Sequence, residues 1–363
     1  MASARLLCVL TTLLGNKSTT QRIIDALNKV PNLDTKYVTL APDDYARYPA
    51  PRWARVTNPW HVQYIARKKL QPFVNEQFDL LFVYSWEFVC AFRDLACRMP
   101  AAALMDSVPS TIDYQLRERG LGGWKRSLSH QLHHGSFRRA AQHFRLFLPM
   151  GSDCADALTQ DYGVPLERRF ITLAPQDLST WKPAGRIYAP PMQLLFVAND
   201  FSRKGGDFLL RLYSGHLSHT CKLTIASNDA SIESRILPAG VTWLRGRTRD
   251  ELLKVYQQSH LFLFPTQQDY MPQVLAEALA TGLPCMANDV GGIRDLVRDG
   301  ETGFLMSLAA PPGKWADKIL SLAENPATLR RLSANARTLA EEGLDLTGFE
   351  DLIRAVIDRL GSG

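Results

Sequence analysis

Two carboxylates in the second half of the chain, Asp269 and Glu277, lie eight positions apart on either side of Pro272. An ionised carboxylate offers only hydrogen-bond acceptors, so two of them that face one crevice suit the hydroxyl groups of a polyol. The amides of Tyr270 and Met271 lie near a predicted helix start, where unpaired N–H groups attract anions and hydroxyl oxygens. These residues form the first candidate site.

Two cations, Arg203 and Lys204, precede a pair of glycines well before that segment. Two positive charges beside the positive end of a helix dipole are unfavourable unless an anion neutralises them. A diphosphate would do so, and the two glycines would let the backbone approach it. The alternative is an ordinary solvated helix start.

Short apolar runs predict the strands that position these groups. Leu261–Phe264 is typical of a strand buried on both faces, and residues 274–280 have the pattern of a helix that stops at Gly282 and Pro284. Asp269 then lies on the loop after a strand, and Glu277 lies on the following helix. In open α/β sheets, ligands bind at the carboxyl ends of the strands.

The segments EALATGLP and DVGGIRDLVRDGETGF, with the Asp-x7-Glu spacing, resemble the donor-site signature of family 4 retaining glycosyltransferases. LLFVANDFSRKGGDFLL resembles the family's strand, loop and helix whose lysine, here Lys204, contacts the donor diphosphate. DYGVPLERRF resembles the segment that leads into the second domain, and in ALMDSVPS Asp106 stands where many relatives have a histidine. Many members have Glu at the position of Asp269. The resemblance is clear over residues 152–307 and weaker over residues 1–150.

The resemblance implies a role for each candidate residue. Glu277 would bind the nucleotide ribose, Asp269 and nearby amides would hold sugar hydroxyls, and Asp106 would position the acceptor. The implied catalytic residues are Asp269, Glu277 and Asp106, and the implied donor-binding residues are Gly15, Arg203, Lys204, Tyr270, Met271, Pro272 and Glu277. Cations and helix dipoles would stabilise the leaving group, so neither a metal nor a cofactor is expected.

The resemblance also implies an α/β fold of two facing Rossmann-like domains (GT-B) with a C-terminal helix that crosses back to the first domain. We expect an acceptor-side domain over residues 1–175, a nucleotide-sugar domain over residues 176–345, and the helix over residues 346–363. The helix is amphipathic, with one face formed by Phe349, Leu352, Ile353, Val356, Ile357 and Leu360.

The first domain carries weaker signals. Gly15 ends the first predicted strand at a loop where a backbone can approach a phosphate, and Trp86, Glu87 and Asp106 follow strand ends on the same edge of the predicted sheet. Trp86 and Glu87 are candidates for the acceptor side, although ordinary loop positions explain them equally well. The chain has no Gly-x-Gly-x-x-Gly run, which counts against a dinucleotide cofactor.

Positive charge is concentrated in the first domain, where residues 1–175 hold 22 lysines and arginines against 15 acidic residues. Most of the excess lies between Arg117 and Arg145. A helix there with a Trp–Leu face opposite basic residues is typical of binding to an anionic membrane, through Trp124, Lys125, Arg126, Arg138 and Arg139. We expect Gly135 and Ser136 to break this helix. The alternative is a solvated helix packed on its own domain.

Composition excludes several other classes. The six cysteines contain no Cys-x-x-Cys pair, which disfavours zinc and disulfide frameworks, and the histidines near residue 133 lack accompanying acidic or cysteine ligands. No aromatic and basic interleaving suggests nucleic acid. No segment reaches the length of a membrane span, and the apolar run near the N-terminus is interpreted as a strand, so we expect a cytoplasmic protein, peripheral on the inner membrane face if the basic helix binds lipid.

The sequence thus predicts a retaining, metal-independent glycosyltransferase that moves a sugar from a nucleotide-diphosphate donor to a hydroxyl of a glycan, a lipid-linked molecule or a small molecule. Two alternatives stay open. A nucleotide-sugar epimerase of the same fold would act without an acceptor, and a non-catalytic protein would bind the nucleotide sugar and turn nothing over.

Overall fold

The computed structural model describes residues 4–13, 16–51, 58–118 and 124–362, with side chains described outside 116–118 and 124–130. The chain forms two compact units, one of Met1–Thr172 with Leu346–Gly363 and one of Leu173–Asp345. Each unit contains one parallel sheet with helices between its strands.

The first sheet has the strand order β2-β1-β3-β4-β5, and all its pairings are parallel. Its central strands are continuous apolar runs buried on both faces, as expected for a parallel sheet covered by helices. The elements in order are β1 Ala4–Thr11, α1 Lys17–Asn28, β2 Leu33–Leu40, α2 Asp44–Arg47, α3 Asn58–Leu70, β3 Leu80–Tyr84, α4 Trp86–Ala91, α5 Arg93–Ala96, β4 Ala101–Met105, α6 Pro109–Glu118, α7 Trp124–Ala141, β5 Leu146–Pro149 and α8 Ser152–Gln160.

The second sheet has the order β11-β10-β9-β6-β7-β8, again with parallel pairings. Leu194 of β6 pairs with Leu261 of β9, so two strands far apart in sequence are neighbours at its centre. The elements in order are β6 Met192–Val197, α9 Gly206–Leu212, β7 Cys221–Ala226, β8 Val241–Leu244, α10 Arg249–Gln258, β9 Leu261–Phe264, α11 Gln273–Ala280, β10 Cys285–Asn288, α12 Ile293–Leu296, β11 Gly303–Met306, α13 Pro312–Ala323 and α14 Pro326–Gly343.

The final helix, α15 (Leu346–Gly361), belongs to the first unit, where it packs on α1 and reaches β4. Its predicted apolar face supplies the buried side chains Phe349, Ile353, Val356, Ile357 and Leu360. Lys29 at the end of α1 forms an ion pair with Glu350 at 2.7 Å. Two Rossmann-like domains and a C-terminal helix that returns to the first are therefore confirmed.

Helix α7 corrects one prediction. We expected Gly135 and Ser136 to break the basic helix, but α7 runs without interruption from Trp124 to Ala141. A glycine in a helix interior costs only about 1 kcal/mol relative to alanine. Phe137 and Ala140, both fully buried beyond the glycine, give the helix a packing reason to continue.

Candidate functional site

The candidate donor site lies at the carboxyl edge of the second sheet. Strand β6 has β7 on one side and β9 on the other, so the loops that leave β6 and β9 diverge from the same point of the sheet. Such a point is where open α/β sheets bind ligands. Arg203 and Lys204 follow β6 and Asp269 follows β9, which brings together groups that are 65 positions apart.

Lys204 and Asp269 form an ion pair at this edge, with Lys204 Nζ donating to Asp269 Oδ2. Both side chains are largely buried, with exposed fractions of 16% and 14%. Burial lowers the pKa of Lys204 from its usual value, and the charge of Arg203 acts in the same direction, whereas Asp269 opposes both. The pair therefore holds a desolvated cation beside a desolvated carboxylate. A polar ligand could take the place of either one as the partner of the other.

Arg203 has a different carboxylate partner. Its Nε donates to Asp200 Oδ2 at 2.6 Å, and its Nη1 donates to the carbonyl of Gln268 at 3.3 Å. The second bond ties the loop after β6 to the loop that carries Asp269. The two cations predicted to act together thus lie at one edge, each balanced by its own carboxylate.

The loop that carries Asp269 is held by its own polar groups. The Tyr270 amide donates to Asp269 Oδ1 at 3.0 Å, and the Thr266 hydroxyl donates to the Gln268 carbonyl at 3.0 Å. Asn288, at the end of β10, donates to the Thr266 carbonyl at 3.0 Å. The Tyr270 amide, predicted to contact a sugar hydroxyl, therefore fixes the Asp269 carboxylate in this structure.

Met271 and Pro272 connect this loop to α11. Both are buried, and Pro272 occupies the N-cap position of the helix without a side-chain capping bond. Because proline lacks an amide hydrogen and has a preset backbone angle, it is readily accommodated at the start of a helix. The predicted helix start after Pro272 is confirmed.

The glycines of both motifs pack against neighbouring loops. A Cβ on Gly205 would lie 2.0 Å from the Pro265 carbonyl oxygen, and one on Gly292 would lie 2.5 Å from the Tyr270 carbonyl oxygen. The Gly292 amide also donates to that Tyr270 carbonyl at 2.9 Å. The first glycine pair, predicted to let the backbone approach a phosphate, also has a packing reason, since a Cβ on Gly206 would strike the Phe201 ring.

Glu277 lies near the middle of α11 and is partly exposed. Its Oε2 accepts a hydrogen bond of 3.0 Å from the hydroxyl of Tyr256 on α10. Tyr256 was not among the residues predicted from the sequence, because it is distant from the motif and has the character of a core aromatic.

Two arginines bind the carboxyl end of α11, and sequence reasoning missed both. Arg186 donates to the carbonyls of Thr281 and Gly282 at 3.2 and 2.6 Å, and Arg337 donates to the carbonyl of Ala280 at 2.6 Å. Cations at a helix carboxyl end satisfy carbonyls that lack helical partners and complement the helix dipole. They stabilise the helix that carries Glu277.

At the carboxyl edge of the first sheet, the acidic candidates follow β3 and β4. Burial raises the pKa of Glu87 to about 7, and the charge of Asp106 acts in the same direction. Ser85, with φ of 143°, precedes α4 and hydrogen-bonds Glu87, and Ser107 Oγ donates to Asp106 Oδ1 at 2.9 Å. Gly15 lies outside the described residues.

Trp86 is a buried core residue rather than an open edge group. Its ring lies 5.5 Å from His133 and 6.5 Å from Phe137, between centroids. His134 bonds to Asp113 and Tyr162, each at 3.1 Å, so these histidines pack α7 on its own unit.

The basic helix α7 is described only in its second half for side chains, so the predicted surface of Trp124, Lys125 and Arg126 lies outside the described side chains. Arg138 donates to the Asp161 carbonyl at 2.7 Å, and Arg139 is exposed. Within the described residues no helix has the length and apolarity to cross a bilayer. Across the same ranges, no cluster of three or more His, Cys, Asp or Glu side chains could hold a metal ion.

The fold has close structural counterparts. Sucrose-phosphate synthase from Thermosynechococcus elongatus superposes with a TM-score of 0.77 at 14% identity, over 98% of this chain and 99% of that one. Anabaena HepE in complex with UDP-glucose superposes with a TM-score of 0.68 at 13% identity, over 98% and 99%. At these identities the likeness establishes the fold alone.

Sequence comparison finds similarity to one family of enzymes. The D-inositol 3-phosphate glycosyltransferase of Rhodococcus jostii is 30% identical over 211 residues, which are 52% of this chain and 46% of that protein. The chain thus matches about half the length of such relatives. Residues 179–339 match the model of the family Glycosyl transferases group 1. Assignment to family 4 within that group stays a prediction. Most of the second unit is therefore similar to the group 1 glycosyl transferases.

Proposed function

We propose that the protein transfers a sugar from a nucleotide-diphosphate donor to an acceptor hydroxyl, with retention of configuration and without a metal. The observation that carries this proposal is the buried ion pair of Lys204 and Asp269, beside Arg203 and next to the helix of Glu277. The match to group 1 glycosyl transferases supports it, as does the nucleotide sugar bound by the Anabaena neighbour.

Donor binding exchanges the partners of the ion pair. A diphosphate would take Lys204 and Arg203 as counter-ions, which frees the Asp269 carboxylate to accept hydrogen bonds from sugar hydroxyls. Glu277 would accept from hydroxyls of the nucleotide ribose. Both exchanges replace one charged hydrogen bond with another, so neither charge is left desolvated and unpaired.

The reaction breaks the bond between the anomeric carbon and the β-phosphate oxygen. The acceptor oxygen forms the new bond to that carbon on the same face, and the acceptor proton goes to the departing phosphate oxygen. The charge that develops on the phosphate is stabilised by the two cations, fixed before the reaction begins.

The acceptor is assigned to the first unit. Asp106 and Glu87 at the carboxyl edge of its sheet can both accept hydrogen bonds from an acceptor hydroxyl, whether on a glycan, a lipid-linked molecule or a small molecule. Asp106 would position that hydroxyl, with Trp86 supporting the adjacent helix from the core.

Peripheral membrane binding through α7 is a separable part of the proposal. The exposed Arg139 and the basic first turns of α7 favour it. Co-sedimentation with liposomes should require anionic lipid and should weaken in Arg138→Gln/Arg139→Gln. Equal sedimentation with neutral and anionic liposomes would remove this part and leave the transferase proposal intact.

A thermal-shift screen across nucleotide sugars tests the donor, because a ligand at 100 times its dissociation constant stabilises by about 2.7 kcal/mol. The stabilising donor is then incubated with candidate acceptors in EDTA, and the anomeric configuration of the product is determined by NMR. Asp269→Ala should abolish transfer while nucleotide binding persists. Undiminished transfer by that variant would contradict the proposal, and donor isomerisation without acceptor would indicate an epimerase.

A further inference from the structure

A fully buried tyrosine touches the carboxylate assigned to the ribose. The Tyr256 hydroxyl on α10 lies 3.0 Å from Glu277 Oε2 and 3.3 Å from the Val274 carbonyl oxygen, both on α11. The hydroxyl therefore has two acceptors within reach, and only one of them is a side chain.

The phenol ring is fixed on both sides by aromatic contacts. The Trp181 ring meets it edge-on at 5.5 Å between centroids, and the Phe262 ring stacks on it at 5.7 Å with an interplanar angle of 19°. The backbone is also held, since Arg186 donates to the Tyr256 carbonyl at 3.2 Å. A ring held in this way presents its hydroxyl at a defined point.

The direction of the hydrogen bond is also defined. Burial raises the pKa of Tyr256 well above its usual value, and the Glu277 carboxylate raises it further. The phenol keeps its proton and donates it to the carboxylate, which makes a charge-assisted bond stronger than one between neutral groups.

We propose that Tyr256 is a positioning residue for ribose recognition: its hydroxyl holds the Glu277 carboxylate in the orientation that accepts ribose hydroxyls. A glutamate has three rotatable side-chain bonds, and fixing them before the ligand arrives lowers the entropic cost of binding. The inference rests on the proposed function, in which Glu277 binds the ribose.

A purely structural role for the hydroxyl makes a different prediction. If the phenol only needs a buried acceptor, the Val274 carbonyl suffices, and loss of the hydroxyl would disturb packing without regard to the ligand. A positioning role instead affects only ligands that carry the hydroxyl read by Glu277.

Tyr256→Phe separates these roles by deleting one oxygen atom. The probes are UDP, GDP and ADP with their 2′-deoxy and 3′-deoxy forms, titrated calorimetrically into the full chain. The nucleoside diphosphate that binds the wild type most tightly, with its deoxy forms, is then used for all variants. We expect Tyr256→Phe to weaken ribonucleotide binding about tenfold, the effect of losing a hydrogen bond to a charged group. The variant should bind the deoxynucleotide that lacks the recognised hydroxyl as tightly as the wild type does. The preference of the wild type for the ribonucleotide should therefore be largely lost in the variant.

Tyr213→Phe is the matched control. Tyr213 is equally buried in the same unit, and its hydroxyl donates to the Cys221 carbonyl at 2.9 Å, at the start of β7 on the opposite edge of the sheet. This variant should retain full discrimination. In a Glu277→Ala background, Tyr256→Phe should cause no further loss of ribonucleotide affinity, because the two residues act together.

The possible failures are distinguishable. A wild-type protein that binds none of these three diphosphates and no nucleotide sugar in the thermal-shift screen would overturn the proposed function itself. Binding without ribose discrimination, or a Tyr256→Phe variant that weakens ribo- and deoxynucleotides equally or changes neither, would overturn the positioning role alone.

Discussion

The two sheets place different charges at their carboxyl edges. At the edge of the second sheet, cations and carboxylates are paired, as Lys204 with Asp269 and Arg203 with Asp200. At the edge of the first sheet, Glu87 and Asp106 are both acidic, and burial, with a smaller contribution from the charge of Asp106, raises the pKa of Glu87 to about 7. The same architecture thus supports two kinds of polar surface.

This difference agrees with the proposal that the second unit binds the donor and the first unit binds the acceptor. The edge of the second sheet, where cations and carboxylates are paired, can accept an anion. The anion replaces the carboxylate of each ion pair and becomes the new counter-ion of the desolvated cation. An acidic edge instead favours neutral hydroxyl donors and repels phosphates. The second edge therefore suits the diphosphate of a donor, and the first suits the hydroxyl of an acceptor.

Removal of the buried cation Lys204 should cause the largest loss of activity. Lys204→Met retains the length and apolar stem of the side chain but removes the counter-ion for the leaving group. We expect kcat/KM to fall about 1,000-fold, in the range that follows loss of one preorganised charge stabiliser. The measurement is steady-state transfer with the donor found by the thermal screen, together with the Kd of the nucleoside diphosphate, which should rise.

Lys222→Met serves as the control for Lys204→Met. Lys222 lies on β7 of the same sheet with an exposed side chain, so its substitution changes net charge equally. Activity within twofold of the wild type is expected for it. An equal loss in both variants would mean that general charge, and not the paired edge, attracts the donor.

A smaller change should test how closely the Asp269 loop must be held. A Cβ at Gly292 would lie 2.5 Å from the Tyr270 carbonyl oxygen, so Gly292→Ala must displace that loop or the glycine turn. A displacement of about 1 Å can cost up to about 100-fold in rate. We expect kcat to fall 10- to 100-fold while the Kd of the nucleoside diphosphate changes less than threefold, because Lys204 lies on a different loop.

Gly313→Ala provides the comparison for this loop variant. A Cβ at Gly313 meets no atom within 4 Å, and the residue lies in the first turn of α13 in the same unit. It should leave kcat unchanged. A Gly292→Ala variant that loses nucleotide binding as strongly as transfer would show that the two loops move as one body.

The sequence predicted the elements of the second sheet that carry the candidate site far better than the elements of the first sheet. The strand Leu261–Phe264 and the start of α11 after Pro272 follow from local patterns, and the structure confirms both. Strand β2 was not predicted, because its sequence LDTKYVTL mixes polar and apolar residues as an edge strand does. Local periodicity therefore describes central strands better than edge strands.

Long-range partners could not be predicted, since nothing local records them. Lys204 and Asp269 were placed in one site, but their direct ion pair depends on β6 and β9 being neighbours. Tyr256 has the pattern of a core aromatic, and only the fold brings its hydroxyl to Glu277. The sequence also does not show why a glycine is required at a given position, because close packing and the approach of a ligand both demand a missing Cβ.

The smallest expected effect concerns protonation at the first edge. The pKa of Glu87 is raised from 4.5 to about 7 in the folded protein, so between these values the folded state binds more protons than the unfolded state. Stability from this group is therefore present below pH 4.5 and is lost as the pH rises through about 7. We expect the free energy of unfolding of the wild type, minus that of Glu87→Gln, to fall by on the order of 1–3 kcal/mol from pH 5 to pH 8.

Urea unfolding at a series of pH values measures this difference, and Glu251→Gln supplies the opposite case. Hydrogen bonds from the Thr248 amide and hydroxyl lower the pKa of Glu251, so the stability that it contributes is lost as the pH falls through that value. The wild-type advantage over Glu251→Gln should therefore shrink only below about pH 4.5 and stay constant from pH 5 to pH 8, while the advantage over Glu87→Gln shrinks across that range. An advantage over Glu87→Gln that is as constant from pH 5 to pH 8 as the advantage over Glu251→Gln would mean that Glu87 is solvated like a surface carboxylate. The proposed electrostatic contrast between the two sheet edges would then lose its basis.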